Sequence, residues 1–250
     1  MKKLFLSILL LSFSVSFAQI TLYHTVYVKS EDQVKFETIE RDYMAKLAQK
    51  AVNEGKFLYW GLEKVLQPTV SMGGELNHQL IGNWYQFVIV YQDLKSYMNA
   101  GSWWNDQEGI LGVPQGLLSY TVKQGGMYLW QIKNSAMTSG AKFSAYNFGF
   151  SEEPGKFIES QEEYKVFFES QNKTNENGRA GWATGIRLSP KNFGEHNVMT
   201  WDGFLTLEDA MNHWANWVES KKDYEKIALP NGFDLKMLAQ KIAETTAPSN

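Results

Sequence analysis

The sequence predicts an α+β fold built from one unit, of order β-α-β-β-α-β, that is used twice along the chain. Segments of alternating apolar and polar residues, rich in β-branched and aromatic types, are separated by longer stretches with helical spacing, which distinguishes strands from helices. The chain also resembles itself. Shifted by 122 positions, Trp60 falls on Trp182, Pro68 on Pro190, Glu31 on Glu153 and Val28 on Phe150. Shifted by 113, the run Asp93–Asn99 lies over Thr206–Asn212 and Trp104 over Trp217, and a Pro-x-Gly follows in both places, Pro114–Gly116 and Pro230–Gly232. Matches in the same order with a modest change of offset are the trace of a duplicated unit with one shortened loop.

The first unit opens with Ile20–Val28, whose alternation fits a strand with one buried face. Ser30 is placed to cap a helix over Glu31–Glu54, on which Val34, Ile39, Met44, Leu47 and Ala51 recur near helical spacing and which Gly55 ends. Lys56–Gln67 and Asn83–Gln92 read as the next two strands, Asp93–Asn99 opens a second helix, and Met127–Lys133 reads as a fourth strand. The second unit repeats the order with strand Phe143–Phe150, helix Pro154–Asn177 closed by Gly178, strands Ala180–Ser189 and Asn197–Leu205, and helix Leu207–Ser220. Its last segment, Asp234–Thr245, reads as helical, which leaves this unit one strand short. The polar, aperiodic stretch Asn134–Gly140 reads as the linker, dividing the chain into residues 19–136 and 137–250.

Residues 1–18 have the three parts of a secretory signal: Lys2 and Lys3, the apolar run Leu4–Val15, and small residues Ser16 and Ala18 before the cut. Cleavage before Gln19 and export, to the periplasm or the medium, are the expectation. The apolar run is too short to span a bilayer, so no membrane attachment is expected afterwards. The chain has no cysteine, hence no disulfide framework and no thiol to carry a lipid. The formal charge of −3 becomes more negative without Lys2 and Lys3, and the charges are interspersed, so the basic stripe that nucleic-acid binding requires is missing. Nine Trp, 12 Tyr and 15 Phe supply a large core and suit a pocket for flat or sugar-like ligands.

Two such units in tandem, each with a long first helix, an early Trp on the second strand (Trp60, Trp182) and a Pro ending it (Pro68, Pro190), resemble the dimeric α/β-barrel superfamily of ferredoxin-like domains over residues 20–235. The resemblance implies two tandem ferredoxin-like βαββαβ repeats packed sheet to sheet as a pseudo-twofold α/β barrel, in a monomer or homodimer. That superfamily includes haem-dependent enzymes, cofactor-free monooxygenases and isomerase-like proteins, so it leaves the reaction open.

The residues themselves narrow the chemistry by what they lack. The four histidines, His24, His78, His196 and His213, have no metal-ligand spacing, so no metal site is expected, and neither a Gly-x-Ser-x-Gly nor a phosphate loop is present. Under the resemblance, His213 beside Trp214 is a candidate axial haem ligand, although a packing histidine is the plainer reading. His24 shares the apolar phase of its strand with Leu22 and Val26 and reads as a core histidine, its place taken by Tyr146 in the second unit. Asp202 is an acid inside a strand, with Ile89 at the matching place in the first unit; such an asymmetric acid is a candidate ligand-binding residue together with Arg187, and an edge strand or a partner such as Arg187 explains it equally well. Trp60 and Trp182 either pack helix on sheet or line a cavity there with Tyr23, Tyr59, Trp84 and Trp201, under loops 68–82 and 101–126. The expected function is an exported small-molecule-binding or accessory module with an aromatic pocket and no cofactor. The alternative is a cofactor-free monooxygenase-like or haem-handling enzyme.

Overall fold

The structure, a computed structural model, describes residues 19–70, 83–105, 107–114, 118, 120–137, 140–171, 178–191, 195–216, 229, 232–233 and 235–246. The signal segment 1–18, His78, the turn Gly73-Gly74 and Trp217 lie outside the described residues, as do residues 71–82 of the expected cover. The strands are β1 (Ile20–Tyr27), β2 (Tyr59–Val70), β3 (Trp84–Tyr91), β4 (Lys123–Met137), β5 (Phe143–Gly149), β6 (Arg179–Ser189), β7 (Val198–Phe204) and β8 (Leu235–Glu244). The helices are α1 (Gln33–Ile39), α2 (Ala45–Asn53), α3 (Leu94–Asn99), α4 (Gln107–Leu111), α5 (Pro154–Gln171) and α6 (Leu207–Asn216). The strands close into one antiparallel barrel in the order β1-β3-β2-β8-β5-β7-β6-β4. The first four strands run β4-β1-β3-β2 and the last four β8-β5-β7-β6, so each half passes through its strands in the same order. Trp60 stands opposite Ile89 across β2 and β3, and Trp182 opposite Asp202 across β6 and β7.

Three local expectations are corrected. Asp234–Thr245, expected as helix, contains strand β8, which fills the gap between β2 and β5. Its Lys, Gln, Leu and Ala residues favour helix locally, but hydrogen bonding on both edges and burial of Met237, Leu238 and Ala239 outweigh a preference of a few tenths of a kcal/mol per residue. The expected linker Asn134–Gly140 begins inside β4, because Asn134–Met137 pair with Gly181–Thr184 to close the barrel's other seam. The single helix expected over Glu31–Glu54 is instead a 3₁₀ turn at Ser30–Asp32, then α1, a π turn at Glu40–Met44 and α2. Ser30 does not cap it; its hydroxyl bonds the Asn83 side chain at 3.3 Å. Asp93 does cap α3, accepting from the Ser96 backbone N–H at 2.7 Å.

Successive side chains on a strand point to opposite faces, and here each face has a separate core. The barrel interior is filled by a cluster that includes Tyr23, Val65, Trp130, Tyr146, Phe148 and Met199. On the outside of β1–β3, Val26, Trp60, Leu62 and Tyr85 pack against Phe36, Ala48, Ala51 and Val52 of α1 and α2. Burying each aliphatic or phenyl side chain of this layer contributes about 1.5–3 kcal/mol. The seam between the halves carries a polar contact in the interior: Glu63 of β2, 3% exposed, accepts hydrogen bonds from Ser144 and Tyr146 of β5, each at 2.7 Å. Burial raises the Glu63 pKa, while those two donors act the other way. No helix among the described residues is long and apolar enough to cross a membrane.

Candidate functional site

A cavity of about 780 Å³ lies between the outer face of β1–β3 and the α1–α2 layer. Its floor is laid by alternation: Leu22 and His24 from β1, Phe87, Ile89 and Tyr91 from β3, and Trp60 from β2. Its wall comes from the π turn, whose Glu40 and Met44, four residues apart, share the face turned to the sheet. The chain between β3 and β4 covers it with Tyr97, Trp103, Trp104, Leu118 and Tyr120. Single π turns within α-helices occur frequently at functional sites, and this one carries the acid of the cavity.

Glu40 is 2% exposed, and its Oε1 accepts a hydrogen bond from the Tyr120 hydroxyl. Desolvation pushes its pKa up to about 7, against the opposing effect of the Tyr120 hydrogen bond. No cationic side chain among the described residues contributes to that balance. The same burial and the facing carboxyl raise the Tyr120 pKa, so its hydroxyl stays protonated as the donor. His24, expected in the core, is half-buried on the cavity wall, with Nε2 at 2.5 Å from Gln124 Oε1. Tyr146 is not its counterpart across the barrel: that side chain points into the interior beside Tyr23.

The structure distributes the residues singled out in the sequence over three places. Trp60, 1% exposed, lines the cavity. Tyr23, Trp84 and Trp201 belong to the barrel interior with Tyr59, on the opposite face of the sheet. Trp182, Asp202 and Arg187 belong to the second half. Trp182 packs against Tyr164 and Phe168 of α5, with ring centroids 5.5 and 6.4 Å away. Asp202 is buried and bonds Arg179, not the expected Arg187; Arg179 also donates to Tyr164 at 2.6 Å and lies 4.8 Å from the Phe168 ring centroid. The reason is register. Arg179 starts β6 opposite Phe204, beside Asp202, whereas Arg187 lies near the other end of β6, hydrogen-bonded through its backbone to Asn197, and pairs with Glu195 at 3.0 Å.

Around Trp182 the described residues of the second half thus bring together aromatic rings and a buried ion pair. His213 of α6 lies here, with Nε2 3.9 Å from Asp202 Oδ2 and its ring 5.3 Å from Phe204. Burial lowers its pKa in spite of the Asp202 charge. It does not line the cavity, so it does not fit as axial ligand of a haem bound there. No group of three or more metal-binding side chains occurs among the described residues. Sequence reading missed Glu40 and Tyr120. A signal was present only in outline: a Glu between Ile39 and Met44, two positions assigned to the buried face of the first helix, is an acid where apolar contact is expected.

Comparison with known proteins places the fold. No protein-family model matches the chain, and no curated protein matches it. Among solved structures, it is similar to two proteins described as putative monooxygenases. The one from Fusobacterium nucleatum has a TM-score of 0.53 at 12% identity, over 94% of this chain and 97% of that one. The one from Lactobacillus acidophilus has a TM-score of 0.55 at 11% identity, over 93% and 98%. An anthrone oxidase-like protein also matches, with a TM-score of 0.48 at 9% identity over 93% of this chain and 94% of that one. The closed antiparallel barrel with its outer helices therefore has the fold of the dimeric α/β-barrel superfamily.

Proposed function

We propose that the protein binds an apolar, ring-bearing small molecule in the cavity between β1–β3 and α1–α2, with Glu40 as an acid there that exchanges a proton near neutral pH. The observation that carries this is the placement of a fully buried carboxyl on a π turn, facing an aromatic cavity, with its pKa at about 7. Perturbed acids in apolar clefts mark functional sites because desolvating them is costly for a structure with nothing to gain. The test uses N-phenyl-1-naphthylamine, a neutral aromatic dye whose emission rises in apolar surroundings. It is expected to bind one per chain, and Ala100→Phe, which places a ring in the lining, is expected to weaken binding at least tenfold while the fold keeps its melting temperature. Binding that ignores Ala100→Phe places the ligand elsewhere and overturns the reading.

A second reading rests on the same carboxyl. A general base works best with a pKa near the working pH, and Glu40 meets that condition. In a cofactor-free oxygenase it would take a proton from an activated ring methylene, and the carbanion would react with dioxygen. The balance is CH₂ plus O₂ giving C=O plus water: the carbon loses four electrons, one oxygen atom enters the substrate and the other leaves as water. The two bacterial neighbours named as monooxygenases support this reading through fold alone. Oxygen uptake with anthrone as probe, lost in Glu40→Gln, is the expected result; equal uptake by the variant counts against it.

We also propose that the halves, residues 19–136 and 137–250, are tandem ferredoxin-like repeats, supported by the shared strand order and the matching Trp60 and Trp182. Export rests on residues 1–18 and predicts an intact mass starting at or next to Gln19. Exported protein that retains Met1–Ala18 would overturn it.

A further inference from the structure

We infer that the ligand of this cavity is an organic cation: an ammonium group on an apolar body, seated among the aromatic rings with its charge against Glu40. The inference rests on the reading of the cavity as a binding site and names what that site lacks. Among the described residues that line it, Glu40 is the only acid and no Lys or Arg is present; the other titratable groups facing the space are His24, Tyr91, Tyr97 and Tyr120. His24 is engaged with Gln124, and Tyr120 donates a side-chain hydrogen bond to Glu40. Among the described residues, no counter-charge faces the Glu40 carboxylate when it ionises, and a cation carried by the ligand would supply one.

The walls suit that charge. Trp60, Tyr91, Tyr97, Trp103, Trp104 and Tyr120 present aromatic surface to the cavity. The rings are mutually inclined: Tyr91 and Tyr97 meet at 81° and Trp103 and Trp104 at 87°. Aromatic faces attract a cation through the ring quadrupole, more strongly when water is excluded, and such cages are a known means of recognising substituted ammonium groups. An anionic ligand would meet the Glu40 carboxylate with no cation to offset the repulsion. A neutral one would gain only the burial of its apolar area.

The probes are benzyltrimethylammonium and its uncharged isostere neopentylbenzene, titrated into the full chain and followed by quenching of tryptophan emission, since three tryptophans line the cavity. The quaternary ammonium has no proton to lose, so any pH dependence of its affinity belongs to the protein. It is expected to bind at least tenfold more tightly than the isostere at pH 8, and to lose most of that preference by pH 6, as Glu40 takes up its proton. Glu40→Gln, which keeps an acceptor for Tyr120, is expected to bring the two affinities together at both pH values. Equal affinities of the two probes for the unaltered chain at pH 8 overturn the cation assignment and leave the cavity as a site for neutral molecules; a preference that survives Glu40→Gln undiminished overturns the placement of the charge against Glu40. Failure of both probes to bind overturns the reading of the cavity itself.

Discussion

Replacing Glu40 by Gln should change how stability depends on pH, and the size of the change follows from the structure. The carboxyl is 2% exposed and its pKa rises from an ordinary 4.5 to about 7 in the folded protein. A group that holds its proton more tightly in the folded than in the unfolded state stabilises the fold while protonated. That contribution is complete below the unfolded value and is lost as pH rises through the folded value. Applied to 4.5 and about 7, the linkage relation makes the wild-type chain lose about 2–3 kcal/mol between pH 5 and pH 8 through this residue alone. Gln keeps nearly the same volume and an acceptor for the Tyr120 hydroxyl, but has no proton to lose. The stability of the wild type minus that of Glu40→Gln should therefore fall by about 2–3 kcal/mol from pH 5 to pH 8, in favour of the variant at the higher pH. Urea unfolding followed by circular dichroism at several pH values gives both curves, and taking the difference removes the groups the two proteins share. A difference that stays flat within about 0.5 kcal/mol, well below the expected change, would mean that Glu40 is solvated or paired in solution, and the account of the site would fail with it.

Three further outcomes are expected. Asp202→Ala leaves the Arg179 guanidinium buried without its counter-charge and should cost about 3–5 kcal/mol in chemical denaturation, whereas Arg179→Leu with Asp202→Leu should recover most of the loss; a single variant within 1 kcal/mol of wild type contradicts the burial of this pair. Tyr146→Phe removes one of the two side-chain donors to Glu63 and should cost about 1.5–3 kcal/mol with little change in the cavity ligand's affinity, because the interior and the cavity lie on opposite faces of the sheet. Residues 19–136 and 138–250 expressed separately should aggregate, self-pair or bind each other, since the β2–β8 and β4–β6 seams join the halves and each half alone exposes its share of the interior; two soluble monomers with independent melts would contradict this.

The order of elements was legible in the sequence because period and turn chemistry are local. β1, β3, α3 and β5–β7 fall within one to three residues of where alternation and capping place them, and the Trp60–Ile89 and Trp182–Asp202 pairs follow the self-alignment. Two kinds of information were not local. Strand β8 has the composition of a helix and is a strand because two open sheet edges, about 175 and 95 residues earlier in the chain, leave a gap of its width. The site depends on a similar long-range circumstance. In sequence, Glu40 is one acid among many on a helix and Tyr120 one aromatic in a loop, 80 residues apart. Only the packing of the π turn on the sheet, and the cover that brings Tyr120 onto Glu40, remove both from water and give the pair its chemistry. In the second half, register likewise brings Arg179 to Asp202, beside the rings of Tyr164, Phe168 and Trp182. Periodicity along the chain determines which residues face a layer; which layer stays hollow depends on side chains that meet only after the barrel has closed.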